Sequence, residues 1–229
     1  MCSYVMNIVI SLGGSILLSD FNSAKIKQYV DILRDLRKNH NIVVVTGGGS
    51  VARDYISVAK KLGANDFEAD ELGIMVTRIN AKVLLSGLSD MGSSFIPKNF
   101  DEVKKALDTQ KIVVMGGTFP SISTDGTSAL VAEAIHADLF INATSVDGVF
   151  DKNPKKNKDA KIIKKLSYSE LSDILSSNAS NAGTYELFDR TAIDVLSRSN
   201  ISCVVVNGHD PLNIKKAVNK EIGTYISNS

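Results

Sequence analysis

The stretch "IVVVTGGGSVAR", residues 42–53, decides the reading of this chain. Four β-branched residues run through Thr46 into three consecutive glycines, and an arginine follows four positions after the last of them. A short apolar β-branched run is the pattern of a strand buried on both faces. Glycines at its end permit close backbone approaches that a Cβ forbids. Taken alone, the loop also fits a plain strand-to-helix turn. Two further stretches repeat it, "IVISLGGSIL" (8–17) and "IVVMGGTFP" (112–120), each an apolar run, then glycines, then a hydroxyl residue. In open α/β sheets the loops leaving the carboxyl ends of strands gather along one edge, where ligands bind. Glycine loops there expose amide N–H groups and the following helices add their positive ends, and both favour phosphate. Three such loops predict a ligand with several phosphates, or two phosphorylated ligands.

Composition narrows the partners. The 229 residues suffice for a substantial core. A formal net charge of +1 and the absence of tryptophan exclude nucleic acid as an expected partner. Two cysteines cannot build a disulfide framework, and Cys203, inside "ISCVVV", reads as a buried thiol. His40, His136 and His209 are scattered without ligand spacing, so no metal site built by the protein is expected. No apolar stretch reaches the ~18 residues of a membrane span. The N-terminus lacks the features of a signal peptide, so the expected location is cytoplasmic. The first strand is expected to begin near Met6, which leaves "MCSYV" as a short extension or an upstream start.

Strand and helix patterns alternate almost throughout. Ile26, Tyr29, Val30, Leu33 and Leu36 recur at helical spacing after the first glycine loop. Helices are expected at about 51–62, 69–87 and 101–108, the second carrying Leu72, Met75, Val76, Ile79 and Val83 on one side. A strand over 111–115 follows, then a helix over 124–137 opened by Thr124 or Asp125, and a strand over 138–143. Residues 144–165, with seven lysines from Lys152 to Lys165, read as a loop or small hairpin. Ser167 and Glu170 form a capping box for a helix near 168–176. Small polar residues over 176–184 read as mobile. A helix from about Leu187 to Ser199, a strand over 201–206, a helix from Pro211 and a strand near 222–226 close the chain. Such alternation predicts an α/β fold, a three-layer αβα sandwich with a mainly parallel central sheet and no linker dividing it.

None of the three loops supplies the G-x-x-x-x-G-K-[ST] of a Walker A motif. Gly47, Gly49 and Ala52 fit G-x-G-x-x-A, but Glu68 and Asp70 open a helix where a dinucleotide fold needs an acid after a strand. The motifs instead resemble the amino acid kinase superfamily and, within it, the archaeal-type uridylate (UMP) kinases. The resemblance rests on "LGGS" (12–15), "VTGGGSVAR" (45–53), "DELGIMVTRINA" (70–81), "MGGTFPSISTD" (115–125), "ATSVDGVF" (143–150) and "AGTYELFD" (182–189). It covers nearly the whole chain from Met6, and the order and spacing of the motifs make it specific.

The resemblance implies one amino acid kinase-like domain over residues 1–229, with an acceptor-binding N-terminal part and an ATP-binding C-terminal part. It implies transfer of the ATP γ-phosphoryl group to UMP, with Mg²⁺ entering with ATP, and a homohexamer of dimers. Such transfer needs two phosphates in line and their charge neutralised. By resemblance, Gly13, Gly14, Ser15, Gly49, Arg53, Thr144, Phe150 and Asn153 bind ATP. Gly47, Gly48, Asp70 and the loop Thr118, Phe119, Pro120, Ser121, Ile122, Ser123 and Thr124 bind UMP, with Asp70 on the ribose hydroxyls. Asp125 matches the aspartate that organises the catalytic centre. From residue chemistry alone, Asp70 and Asp125 are equally helix-start acids, and Arg53 a surface arginine.

The chain departs from the family pattern at Ser11, where many members carry a lysine in K-x-G-G, and at Ser145, Phe150 and Asn153. Lys152, Arg53 or the metal would have to supply the missing positive charge. Two alternatives stay open at this level. One is another member of the superfamily acting on a carbamate, acylglutamate or small phosphate; the other is a non-catalytic nucleotide-binding regulator.

Overall fold

The computed structural model describes residues 4–18, 20–109, 111–152, 154, 157–179 and 188–228, with the side chains of 177–179 excepted. Its strands are β1 (Asn7–Leu12), β2 (Asn41–Thr46), β3 (Val113–Met115), β4 (Leu139–Thr144), β5 (Lys165–Ser167), β6 (Ser202–Asn207) and β7 (Thr224–Ser227). Its helices are α1 (Gly14–Leu17), α2 (Ser23–Arg37), α3 (Gly49–Lys61), α4 (Asp66–Ser86), α5 (Phe100–Asp108), α6 (Thr124–Ala134), α7 (Tyr168–Ala179), α8 (Arg190–Arg198) and α9 (Leu212–Val218). The strands form one sheet in the order β3-β2-β1-β4-β6-β7-β5.

β-Branched runs make the sheet because both faces are covered. Val9, Val43, Val45, Val113 and Val205 project to one side, onto Val103 of α5, Ala129 and Ala132 of α6, and Ala192 and Leu196 of α8. Ile8, Ile10, Ile42, Val44 and Ile141 project to the other, onto Leu33 of α2, Ala81 and Leu84 of α4, and Ile214 of α9. Side chains alternate across a strand, so a continuous apolar run fills two cores at once. The expected αβα sandwich is therefore present.

Strands β1 to β4 and β6 pair in parallel, whereas β7 pairs antiparallel with β6 and parallel with β5. Thr224, the first residue of β7, lies beside Val205 near the end of β6, so the chain enters β7 from the carboxyl end of its neighbour.

Several local expectations need correction. The helix after the third glycine loop is capped by Ser123, whose Oγ accepts from Gly126 N–H, rather than by Thr124 or Asp125. α4 starts earlier than its apolar pattern, at a capping box of Asn65 and Glu68. Its buried face is Val76, Asn80, Ala81, Leu84 and Leu85, while Met75, Ile79 and Val83 point outward. Within 144–165, Phe150 pairs antiparallel with Ile162 as a hairpin would, and β5 begins at its end. The capping box at Ser167 and Glu170 is present, with Glu170 Oε2 accepting from Ser167 N–H at 2.7 Å. α7 runs on to Ala179, into the stretch read as mobile; 180–187 lie outside the described residues, and α8 starts at Arg190.

Candidate active site

Strand order dictates where a ligand can sit. From β1 the chain builds outward through β2 and β3, then crosses back to β4 on the other side of β1. Loops leave β1 and β4 in opposite directions at this point, and a crevice opens outside the carboxyl ends of the strands. A cavity of about 650 Å³ lies there. Its wall is Gly13–Ile16 after β1, Gly47–Gly49, Ala52, Arg53 and Ile56 after β2, and Gly117, Phe119 and 121–125 after β3. Asp70, Gly73, Ile74 and Thr77 of α4 and 142–145 at the end of β4 complete it.

The first two glycine loops interlock. A Cβ built on Gly14 would fall on the Gly47 carbonyl oxygen and the Gly49 amide nitrogen, and one on Gly49 would lie 2.7 Å from the Gly14 carbonyl carbon. Gly49 also has φ +69°, which disfavours any side chain. Around them the turns are tied down. Gly47 N–H donates to Leu12 O at 2.9 Å, Gly13 N–H to Ala143 O at 3.3 Å, and Asn80 Nδ2 to Gly47 O at 2.8 Å. The third loop is held by Thr77, whose Oγ1 accepts from Gly117 N–H at 2.7 Å. The result is a floor of backbone amides with the N-termini of α3 and α6 opening on it, a surface suited to phosphate.

Three charged side chains line the described wall: Arg53, Asp70 and Asp125. Arg53 is exposed to the cavity, one turn into α3, and has no ion-pair partner among the described residues. Asp70 accepts the Ser121 N–H on Oδ2 at 2.7 Å, holding Ser121 in the left-handed region at φ +64°. Asp125 opens α6 and accepts the Ser11 hydroxyl on Oδ1 at 2.6 Å. Burial pushes its carboxyl above the usual carboxylate range, the Ser11 hydrogen bond opposes this, and the charge of Asp189 adds to it. The serine standing where the family pattern has lysine thus supplies a hydrogen bond to the central carboxylate and no charge. Among the described residues no group of three His, Cys, Asp or Glu side chains could hold a metal by itself.

Of the residues expected to bind, Gly13, Gly14, Ser15, Gly47, Gly48, Gly49, Arg53, Asp70, Phe119, Ser121, Ile122, Ser123, Thr124, Asp125 and Thr144 are brought together on this wall. Thr118 and Pro120 are not on it; Thr118 is buried, its hydroxyl 3.3 Å from that of Thr127. Phe150 is also off the wall, in its bridge to Ile162, and Asn153 lies outside the described residues. Lys152, a candidate for the missing first-strand cation, pairs with Asp159 at 2.6 Å and leaves Arg53 as the cation of the described wall. Thr77 and Asn80 were not anticipated. The signal for Asn80 was a polar residue in the helical row of Val76, Ala81 and Leu84.

The profile of the Amino acid kinase family matches residues 6–207. A uridylate kinase of Methanobrevibacter smithii is 50% identical over 222 residues, covering 96% of this chain and 99% of that protein. One from Methanothermobacter thermautotrophicus is 47% identical over 221 residues, with 96% and 99% covered. The crystal structure of uridylate kinase from Archaeoglobus fulgidus matches with a TM-score of 0.89 at 39% identity, covering 97% of this chain and 100% of that one. A profile match over most of the length, relatives aligned end to end, and a cavity at the switch point of the same sheet agree: this chain belongs to the amino acid kinase family.

Proposed function

We infer that this chain is a uridylate kinase, a nucleoside monophosphate kinase of pyrimidine nucleotide synthesis that reversibly converts ATP and UMP into ADP and UDP. In the forward direction a phosphate oxygen of UMP attacks the γ-phosphorus, and the bond from that phosphorus to the β–γ bridging oxygen breaks, leaving ADP. The carrying observation is the amide-lined cavity built from interlocked glycine loops in a chain that aligns end to end with uridylate kinases.

The protein's part in such a transfer is positioning and charge neutralisation. In this reading the N-terminal part takes the acceptor and the C-terminal part takes ATP, with the first two glycine loops at the junction where the phosphoryl group passes. Gly47, Gly48 and the 118–124 loop form the place of UMP, Gly47 by its close-packed backbone, since its N–H is already given to Leu12 O. Asp70 offers its second carboxylate oxygen to the ribose hydroxyls. Gly13, Gly14, Ser15, Gly49 and Thr144 line the donor's place. Arg53 spans the junction with a bidentate fork suited to phosphate. Mg²⁺ fits this donor set, since it keeps most of its sphere on phosphates and water and takes one or two carboxylates. Asp125 is the carboxylate at the cavity floor available to it, and the bound metal would offset charge on the transferring group. A cytoplasmic location, where both nucleotides are present, belongs to the same proposal, and no helix among the described residues is long and apolar enough to cross a membrane.

Coupled measurement of ADP release with UMP, CMP and a panel of small acids tests the assignment. UMP turnover is expected. Turnover only with a carbamate, an acylglutamate or a small phosphate would move the chain elsewhere in its family, and ATP binding without turnover would make it a regulator. Arg53→Ala is expected to lower kcat/KM about a hundred-fold, the scale of losing one transition-state charge contact. Its melting temperature should not change, because the side chain is exposed.

Self-association belongs to the same reading. On α3 only Ala52 is buried, and Tyr55, Val58 and Leu62 form an exposed row, with Leu62 84% accessible. Phe67, Met75 and Ile79 do likewise on α4, which packs against α3. An apolar face of this extent supports a contact with a second copy, within the proposed homohexamer of dimers. Leu62→Glu is expected to shift sedimentation from the full assembly to smaller species.

A further inference from the structure

Asp189 ends the "AGTYELFD" stretch and has no part in the chemistry above, yet its carboxylate lies at the far end of the acceptor loop. Its Oδ2 accepts the Ser123 hydroxyl at 2.6 Å, a charge-assisted length, and its Oδ1 accepts Thr191 N–H at 3.1 Å. Ser123 Oγ in turn accepts Gly126 N–H at 2.9 Å. One carboxylate thereby bridges the first turns of α6 and α8, where two positive helix ends favour its charge. The packing is close. A Cβ built on Gly126 would sit 3.0 Å from Asp189 Oδ2 and 3.2 Å from Ile122 Cγ2.

We propose that Asp189 is a positioning residue for the phosphoryl acceptor, fixing the end of the 117–125 loop through the hydroxyl of Ser123. The proposal rests on the reading of that loop as the acceptor site. The loop crosses the cavity between two carboxylates, Asp70 of α4 holding the Ser121 amide and Asp189 holding Ser123. Between these anchors, among the described residues, its hydrogen bonding is a long backbone bond from Ile122 N–H to Phe119 O, 3.4 Å. Releasing one anchor lets the loop leave its binding conformation, and apparent affinity falls by the fraction of time it is away. The hydrogen bonds of this bridge run to the acceptor loop, the start of α6 and the start of α8, so the effect belongs to the acceptor. Asp189 also stands at the N-cap of a helix from the C-terminal half, so it joins the two parts of the site.

Steady-state kinetics of Asp189→Ala, Ser123→Ala, the double variant and Ser123→Thr test it. KM for UMP is expected to rise about ten-fold in each single alanine variant, with KM for ATP within two-fold of the parent. The double variant should be no worse than Asp189→Ala, and Ser123→Thr, which keeps the hydroxyl, should recover most of the UMP affinity lost in Ser123→Ala. An unchanged KM for UMP, parallel rises in both KM values, or effects that multiply in the double variant would overturn the proposal. Should Asp189→Ala fail to fold, Ser123→Ala against Ser123→Thr carries the same comparison. Amide hydrogen exchange over 117–126 in ligand-free protein reads the anchor without turnover. Faster exchange in Asp189→Ala is expected, and unchanged exchange overturns the anchor. Faster exchange in a protein that turns over no UMP would leave the anchor standing and sink the kinase assignment.

Discussion

Gly14→Ala is expected to abolish measurable phosphoryl transfer and to lower the melting temperature by several degrees. The added methyl has nowhere to go, because what it meets is backbone: the Gly47 carbonyl and the Gly49 amide nitrogen. The opposing turn cannot give way freely. Gly47 is bonded on its N–H to Leu12 O and on its carbonyl to Asn80 Nδ2, at 2.9 and 2.8 Å, and a Cβ on Gly47 itself would lie 2.6 Å from Gly14 N. Overpacking of this kind costs about 1–3 kcal/mol, which in a chain of this size means several degrees of melting temperature. The larger effect is on rate. Parting the turns by the width of a methyl displaces the amides proposed to hold the phosphates, and a misplacement of about 1 Å can cost a hundred-fold. Gly63→Ala separates strain from site geometry. Gly63 has φ +100° and no neighbour within 4 Å of a built Cβ, so its alanine should lose stability and keep activity. A Gly14→Ala protein within ten-fold of the parent would mean that these turns do not hold the reacting groups.

What the sequence made legible follows from whether the cause is local. Strands β1, β2, β4 and β6 were readable because burial on two faces demands an unbroken apolar run, and no other short element needs one. The glycine turns were readable for a similar reason: a backbone that must approach another backbone loses its side chains. The direction of β7 was not readable, since strand pairing is decided by distant residues and "TYIS" is the same in either direction. The buried face of α4 misleads by pattern because two apolar rows run along it, and only tertiary packing decides that Leu84 goes to the core and Ile79 to the surface. In the site, Arg53 and Asp70 stood out by resemblance. The pairing of Ser11 with Asp125 and of Ser123 with Asp189 spans 114 and 66 residues, and no local rule of spacing anticipates it.

Asp125→Asn should inactivate the protein while making it more stable at neutral pH. Asp125 has its carboxyl raised above the ordinary value by burial, with Asp189 adding repulsion and the Ser11 hydroxyl working the other way. Cys203 of β6 is a buried thiol whose ionisation is pushed up by burial and by Asp125, so it stays neutral and adds no charge beside the carboxylate. A raised native pKa means that the folded state binds the proton more tightly than the unfolded chain does. Stability therefore falls as pH rises from the unfolded value, about 3.9, through the native one, and the penalty is constant above that window. Asparagine has no charge to bury and can still accept the Ser11 hydroxyl on its amide oxygen. Its melting temperature should exceed that of the parent at pH 7, with the difference closing as pH falls below the unfolded carboxylate value. Thermal unfolding of both proteins across pH, without nucleotide or metal, measures this. Activity should move the opposite way, down about a hundred-fold or more, because in the proposed site this carboxylate is part of the electrostatic setting of the transfer. A variant that melts lower at pH 7 would show that the carboxylate is stabilised in the free protein by a positive charge outside the described cavity wall. The expected opposition, stability gained as activity is lost, is the signature of a charge held in an unfavourable place for the reaction it serves.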